Sequence, residues 1–333
     1  HNMTRTSGRT QRQLDLDRIA WNGDKMMMLG SCFAENMGAL FSEKKFCVDI
    51  NPFGILYNPS SISEALWKLL NGEPYCQDDL FFYQESWHSF MHHGSFSDHT
   101  AEEALEKMNK RFGEAQDVLP YLDWLMLTFG TSYVYVSKES GKVVSNCHKL
   151  PESHFERRRL SVEEIVETYT PLIQALRTLN PKLKMLLTVS PIRHLRDGLH
   201  ANQLSKSVLL LAIERLQQAF PECVFYFPSY EILIDELRDY RFYADDMSHP
   251  SSLSISYLWE CFSQTFFSEA TMQTMAEVEA IRRDLSHKPF RPESEAYKNF
   301  LGQIVLKIKR LKEKYPYLDF QNELELCRIR LKK

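Results

Sequence analysis

Five short apolar runs, at residues 25–29, 46–50, 124–129, 184–189 and 223–227, constrain this chain more than any other feature. Each is too short for an ordinary helix, and the run at 124–129 is apolar almost throughout, as a strand covered on both faces must be. Between the runs the period changes. Phe33, Met37, Leu40 and Phe41 recur at i, i+4, i+7 and i+8, and so do Ile62, Leu66, Leu69 and Leu70, which puts each set on one helix face. Ser61 with Glu64, Thr100 with Glu103 and Ser161 with Glu164 have capping-box spacing and predict helix starts at those points. Further helices are expected at about 202–219, 230–237 and 251–268. Strands alternating with helices predict an α/β fold, a three-layer α/β/α sandwich around a five-stranded parallel sheet. Residues 133–136 and 142–145 read as a hairpin appended to the third strand. From 271 to 333 charged and apolar groups alternate with no strand signal, which predicts a helical extension that wraps the domain or forms an oligomer contact. The chain thus divides into an α/β domain at 14–268, with an aromatic, histidine-rich insertion at about 73–99, and a helical C-terminal extension at 269–333.

In an open parallel sheet, ligands bind beyond the carboxyl ends of the strands. Ser31, the loop from Asn51 to Gly54, Gly130, the loop 190–194 and the segment after the fifth strand all come from those ends. Ser31 directly follows the first strand and opens a helix, beside N–H groups that have no partner within the helix. A hydroxyl or thiol flanked by such donors suits attack on a carbonyl. The plainer reading makes Ser31 an N-cap and Gly30 a tight-turn residue. The junction is not a Gly-x-Ser-x-Gly elbow, because Gly30 precedes Ser31 directly and Phe33 stands where the second glycine belongs. Nor is it a phosphate loop, since no Gly-Lys-Ser/Thr follows.

A formal net charge of −4 argues against a nucleic-acid footprint, and no apolar run approaches the roughly 20 residues that cross a bilayer. His1-Asn2-Met3 reads as a tag remnant ahead of the first methionine, and residues 3–24 lack the apolar core of a secretory signal. Both point to the cytoplasm. The seven cysteines, Cys32, Cys47, Cys76, Cys147, Cys223, Cys261 and Cys327, are odd in number and include no Cys-x-x-Cys pair. Neither a disulfide framework nor a structural zinc site is expected from them. Cys32, next to Ser31, is a second candidate nucleophile. His88, His92, His93 and His99 stand among six aromatic residues with only Asp98 nearby as a carboxylate. That segment reads as a roof over a pocket for sugars or acyl chains rather than as a metal site. No metal and no organic cofactor is expected.

Several blocks resemble one family. Gly30-Ser31-Cys32-Phe33-Ala34 spells the motif for which the GSCFA family is named. Asn51-Pro52-Phe53-Gly54 and the residues to Pro59, Asn146-Cys147-His148-Lys149, Ser190-Pro191-Ile192-Arg193-His194, and the stretch from Leu237 to Asp246-Met247-Ser248-His249-Pro250 are similar to it as well. The resemblance spans about residues 25 to 260. The family in turn resembles the SGNH (GDSL-like) hydrolases, which have a flavodoxin-like fold, a serine near the N-terminus and Asp-x-x-His near the C-terminus. It therefore implies an SGNH-like hydrolase domain.

Asp-x-x-His occurs three times, as Asp197 with His200, Asp246 with His249 and Asp284 with His287. The last lies in the polar tail, and loop position alone favours 249 only slightly over 200. The resemblance selects the middle pair. It implies Ser31 as nucleophile, His249 as general base and then acid, and Asp246 as the group that orients the imidazole. For the oxyanion it implies the N–H groups of Ser31 and Gly54 and a side-chain amide after the third strand. Here that place holds Gly130-Thr131-Ser132, without an asparagine, so Asn146 and Thr131 are the candidates for the third donor. Trp87, His88, His148 and His194 are expected to contact substrate. The expected function is a serine esterase or acyl-transfer enzyme acting on an acyl ester, such as an acetyl ester, of a small molecule or carbohydrate. The alternative is a non-catalytic carbohydrate- or ligand-binding protein on the same fold, kept open by the missing asparagine. No nucleic-acid or membrane partner is expected, and a homo-oligomer stays open.

Overall fold

The computed structural model describes residues 24–333. The expectations for His1-Asn2-Met3, for the polar stretch up to residue 23 and for a domain start at residue 14 lie outside the described residues. Strands β1 (Lys25–Gly30), β2 (Cys47–Ile50), β3 (Trp124–Phe129), β4 (Lys184–Val189) and β5 (Val224–Phe227) form one parallel sheet in the order β5-β4-β3-β1-β2. The chain steps from β1 outward to β2, then returns and builds the other way through β3, β4 and β5. The order therefore reverses between β1 and β3, whose register pairs Met26 with Trp124 and Gly30 with Thr128. The crevice beyond the carboxyl ends at such a reversal is where these sheets bind ligands.

Both faces of β1, β3 and β4 are buried, which is why these strands are largely apolar, while the edge strand β2 is only partly covered. Met27 and Leu29 enter one buried cluster with Leu125, Leu127 and Leu187, while Met26 and Met28 enter another with Met126, Leu186 and Phe225. Helices α2 (Pro59–Asn71), α3 (Ala101–Val118), α4 (Val162–Leu179) and α5 (Leu199–Ala219) cover the first cluster. The second is covered by α1 (Cys32–Glu43) and α6 (Ser252–Phe266), then by α7 (Glu269–Ser286), α8 (Glu295–Lys314) and α9 (Gln321–Leu331). Ile281, Leu301, Ile304, Ile308, Phe320 and Cys327 share that cluster with Met26 and Phe33, so the C-terminal helices wrap the sheet. No helix among the described residues is long and apolar enough to cross a membrane.

Two local differences from the sequence reading have clear causes. Helix α2 starts ahead of the Ser61 capping box: Asn58 caps it, accepting from the Ser61 N–H at 2.8 Å, and Pro59 takes the first position, where its missing N–H costs nothing. Thr100 and Ser161 cap α3 and α4 where expected. After β3 the predicted hairpin, Tyr133–Ser137 with Val143–Val144, gains a third strand, Phe155–Arg159, on its other side. Phe155-Glu156-Arg157-Arg158-Arg159 carries no apolar alternation, and only its pairing to Tyr133–Ser137 makes it a strand.

Candidate active site

Gly30 ends β1 opposite Thr128 of β3. Its φ is +149°, and a Cβ there would lie 2.3 Å from the Thr128 carbonyl oxygen, so only glycine fits. The Gly30 N–H donates to Asn51 Oδ1 at 3.0 Å, and its carbonyl accepts from the Leu56 N–H at 3.0 Å. The loop after β2 thus clamps the end of β1. Ser31 comes next, at the N-cap of α1 and 2% exposed, yet its hydroxyl makes no capping bond. Among the described residues Oγ has no hydrogen-bond partner. An ordinary N-cap serine spends its oxygen on the second or third helical N–H; this one is buried and uncommitted, a condition that costs about 1–3 kcal/mol in a folded protein. The neighbouring Cys32 thiol is pushed up in pKa, chiefly by burial, with a bond from Tyr57 pulling the other way. It is held as the thiol, the less nucleophilic form.

Ser31 lines a cavity of about 590 Å³ among residues that follow the sheet strands. Tyr133, Tyr135, Phe155 and Arg157, from the three-stranded sheet after β3, form one wall; His194 comes from the loop after β4 and His249 from the segment after β5. The expected roof at 73–99 does not reach the cavity, which none of those residues lines. Instead the Phe90 carbonyl accepts from the N–H groups of Ser145 and Asn146, at 2.8 and 3.1 Å, and so supports the turn that carries Asn146 to the wall. Ser31 Oγ, Ser145 Oγ, His194 Nε2 and Asp197 Oδ2 all belong to residues that line the cavity, and all are buried without a hydrogen-bond partner among the described residues. Unpaired buried polar atoms are rare in folded proteins, and their concentration around one cavity marks a ligand site.

His249 Nδ1–H donates to one oxygen of Asp246, whose other oxygen accepts from the N–H groups of Ser248 and His249 at 2.9 and 3.0 Å. These bonds, the His249 N–H foremost, hold the Asp246 carboxyl well below the usual carboxylate range. The loop is tied to its neighbour by the Arg193 N–H, which donates to the Ser248 carbonyl at 3.0 Å, while the Arg193 guanidinium lies 4.3 Å from the centre of the Tyr243 ring. His249 and Ser31 therefore line one cavity, with no direct hydrogen bond between them. The rival pairs fall elsewhere. Asp197 pairs with Arg157, and His200 is exposed on the first turn of α5. Asp284 pairs with Lys307 at 3.3 Å, and neither His200 nor His287 lines the cavity.

Of the residues expected to contact substrate, His194 lines the cavity and the other three do not. Trp87 packs against the first buried cluster. His88 is committed through both nitrogens, Nε2 to the Tyr83 carbonyl at 2.9 Å and Nδ1 to the Ser97 hydroxyl at 2.6 Å. His148 donates to the Ser89 carbonyl at 2.5 Å, and burial pushes its pKa down to about 4. Trp87 and Phe96 thus pack against the first buried cluster and Phe90 against Phe155, while Phe82 is exposed. No group of three or more His, Cys, Asp or Glu among the described residues could hold a metal ion.

The expected oxyanion donors also change. The Gly54 N–H is taken by the Asn51 carbonyl at 2.9 Å, and Gly54 does not line the cavity. The Thr131 hydroxyl bonds Ser205 Oγ and accepts from the Tyr133 N–H, each at 3.1 Å. The Thr131 N–H joins that of Gly130 on the Tyr57 carbonyl. The Ser31 N–H points to the Thr128 carbonyl at a long 3.3 Å. Asn146 lines the cavity and accepts from the His148 N–H at 2.8 Å, which leaves its NH2 group for a ligand.

One group beneath the site was missed from sequence. Lys206 is 0% exposed on the inward face of α5, three residues before the core Leu209, and donates to the carbonyls of Gly130 at 2.6 Å and Ser190 at 2.8 Å. It joins the turns that leave β3 and β4. Burial holds its pKa down at about 7. An unfolded lysine keeps its proton to a much higher pH, so between about 7 and 10 unfolding takes up a proton and stability attributable to Lys206 rises with pH. Lys206→Met should therefore lose more stability relative to wild type at pH 9 than at pH 7. Urea unfolding should show the gap widening by up to about 2.7 kcal/mol, one unit of pH being worth about 1.4. A gap independent of pH would mean that the folded lysine keeps its proton.

The GSCFA family model matches residues 25–262, and the model for the GSCFA domain protein, C-terminal domain, matches residues 278–333. No curated protein matches the chain. Among solved structures, the chain is similar to an acetyl xylan esterase (Est2A) from the rumen bacterium Butyrivibrio proteoclasticus, with 14% identity, a TM-score of 0.35, and coverage of 79% of this chain and 64% of that one. It is also similar to a carbohydrate esterase family 3 protein from Talaromyces cellulolyticus, with 9% identity, a TM-score of 0.37, and coverage of 76% of this chain and 99% of that one.

Proposed function

The chain belongs to the GSCFA family, and from that premise we propose that it is a serine esterase or acyl-transfer enzyme using Ser31, His249 and Asp246. One observation carries the reading. Ser31 holds a buried, uncapped and unpaired hydroxyl at the β1–α1 junction, on the cavity that also receives the Asp246-paired His249. In the proposed reaction Ser31 Oγ attacks the acyl carbonyl and its proton passes to His249 Nε2, while Asp246 holds Nδ1 and stabilises the imidazolium. The intermediate collapses as His249 returns that proton to the departing alcohol. Water or a second hydroxyl, deprotonated by the same imidazole, then takes the acyl group from Ser31. The His249 side chain is 46% exposed and so has room to turn toward Ser31 as substrate binds. Asn146, with its free NH2, supports one donor to the oxyanion, and the opening N–H groups of α1 support another.

The wall supports a carbohydrate as acyl carrier. Tyr133 and Tyr135 line it with the Arg157 guanidinium over both rings, 4.5 and 5.4 Å from their centres and paired with Asp197, a combination of aromatic surface and fixed polar donors that suits a sugar. A fluorophosphonate probe tests the chemistry. Wild-type protein should gain one phosphonyl group, mapped by mass spectrometry to the peptide containing Ser31. An unlabelled protein, or a label that persists in the Ser31→Ala variant, would overturn the assignment and favour a non-catalytic binding role.

A further inference from the structure

Resting on the serine reading above, we propose that His194 supplies an oxyanion donor: its Nε2–H hydrogen-bonds the developing oxyanion, in the place of the asparagine absent from Gly130-Thr131-Ser132. The geometry at Gly130 carries this. A Cβ built on Gly130 would stand 3.3 Å from Ser31 Cβ, 3.5 Å from His194 Nε2 and 3.0 Å from the Tyr57 carbonyl oxygen. These contacts are tight, so glycine at 130 is what lets Ser31 and the His194 imidazole nitrogen approach the same stretch of backbone. Both residues line the cavity that would hold a carbonyl under attack by Ser31. Among the described residues His194 Nε2 is buried with no hydrogen-bond partner, as is Ser31 Oγ. One substrate carbonyl would engage both, its carbon facing Oγ and its oxygen accepting from Nε2–H.

The ring is held for this task. The backbone N–H of His194 donates to Asn202 Oδ1 at 2.9 Å, which holds the loop, and the ring meets Tyr57 edge to face with centroids 6.4 Å apart. Lys206, on the carbonyls of Gly130 and Ser190, fixes the two turns that leave β3 and β4. His194 is badly placed to be the base. No carboxylate among the described residues is hydrogen-bonded to it, and burial, assisted by the charge of Lys206 and opposed by Asp197 and by a backbone contact with Gly130, pushes its pKa down to about 4. A general base works best with a pKa near the operating pH. A neutral imidazole keeps one N–H through the cycle and polarises a carbonyl without giving up the proton. The proton count agrees: the Ser31 proton goes to His249 and later to the leaving alcohol, and His194 ends each step as it began.

The test compares His194→Ala, His194→Gln and wild type on a short acyl nitrophenyl ester and by the rate of fluorophosphonate labelling. A glutamine amide nitrogen can reach the position of Nε2 but cannot act as a base at neutral pH. His194→Ala should lower kcat and the labelling rate on the order of 10²- to 10³-fold with KM little changed. His194→Gln should recover all but about tenfold of that loss. In the phosphonylated wild-type protein, 15N NMR should show His194 neutral at pH 6 with its proton on Nε2. A loss under about threefold in His194→Ala, equal losses in both variants, or a proton on Nδ1 in the adduct would each overturn the proposal. The NMR result stands even if a variant misfolds. Wild-type protein that takes no label would instead overturn the serine reading itself.

Discussion

Ser31→Ala is expected to lower kcat for a short acyl nitrophenyl ester on the order of 10⁴- to 10⁶-fold, the loss typical of removing a nucleophile that acts in concert with its base. Cys32→Ser should stay within about tenfold of wild type. The contrast rests on what burial does to two adjacent side chains. Burial raises the Cys32 pKa and keeps it protonated, so it does not have the thiolate that makes cysteine a strong nucleophile. Ser31 needs no lowered pKa, because a neighbouring imidazole can take its proton in the transition state. Its hydroxyl is also released from capping, so no intramolecular bond must break before attack. Initial rates with titrated active-site concentration would separate the two variants. Full activity in Ser31→Ala with loss in Cys32→Ser would transfer the nucleophile to the thiol.

The second large effect concerns the base. His249→Ala should cost on the order of 10⁴-fold or more in kcat, and the Ser31→Ala, His249→Ala double variant should be little worse than either alone, because the two groups act as one unit. His200→Ala should lie within about twofold, the usual result for an exposed residue away from the site. His200 is exposed on α5, and its sequence partner Asp197 is already paired with Arg157. Asp246→Asn tests the orienting role separately. The asparagine keeps the backbone bonds from Ser248 and His249 but can offer its NH2 to Nδ1, which would favour the wrong tautomer, and a fall of about 10⁴-fold is expected. Equal losses for His200→Ala and His249→Ala in folded proteins would mean that the base is misassigned.

Residue order alone determined the sheet and the origin of the site. A strand covered on both faces must be apolar at every position, so β1, β3 and β4 announce themselves, and the glycine between Met28-Leu29 and Ser31 marks where β1 must stop. Loops that leave parallel strands at their carboxyl ends converge in space whatever their own sequences, so Ser31, Gly130 and the loop 190–194 could be grouped before any coordinates. The Asp-x-x-His spacing is local and legible too, but it occurs three times, and only the family resemblance singled out Asp246 with His249.

What the tertiary structure decided are commitments made between distant residues. Whether Ser31 caps its helix, whether Gly54 and Thr131 keep a free donor, and whether His88 and His148 face solvent or a carbonyl depend on partners supplied by other loops. The aromatic, histidine-rich stretch at 73–99 read as a roof over the pocket, but none of its residues lines the cavity, and His88 and His92 spend ring nitrogens on local carbonyls and hydroxyls. The true wall includes the strand Phe155–Arg159, whose charged sequence is strand only by virtue of its pairing. Lys206 shows the same limit from the other side. A lysine within a helix is ordinary in sequence. Packing against the turns after β3 and β4 strips it of water and aims it at the Gly130 carbonyl, and that is a property of the folded chain alone. His194 could be named from sequence as a substrate contact, but its buried, unpaired nitrogen could not.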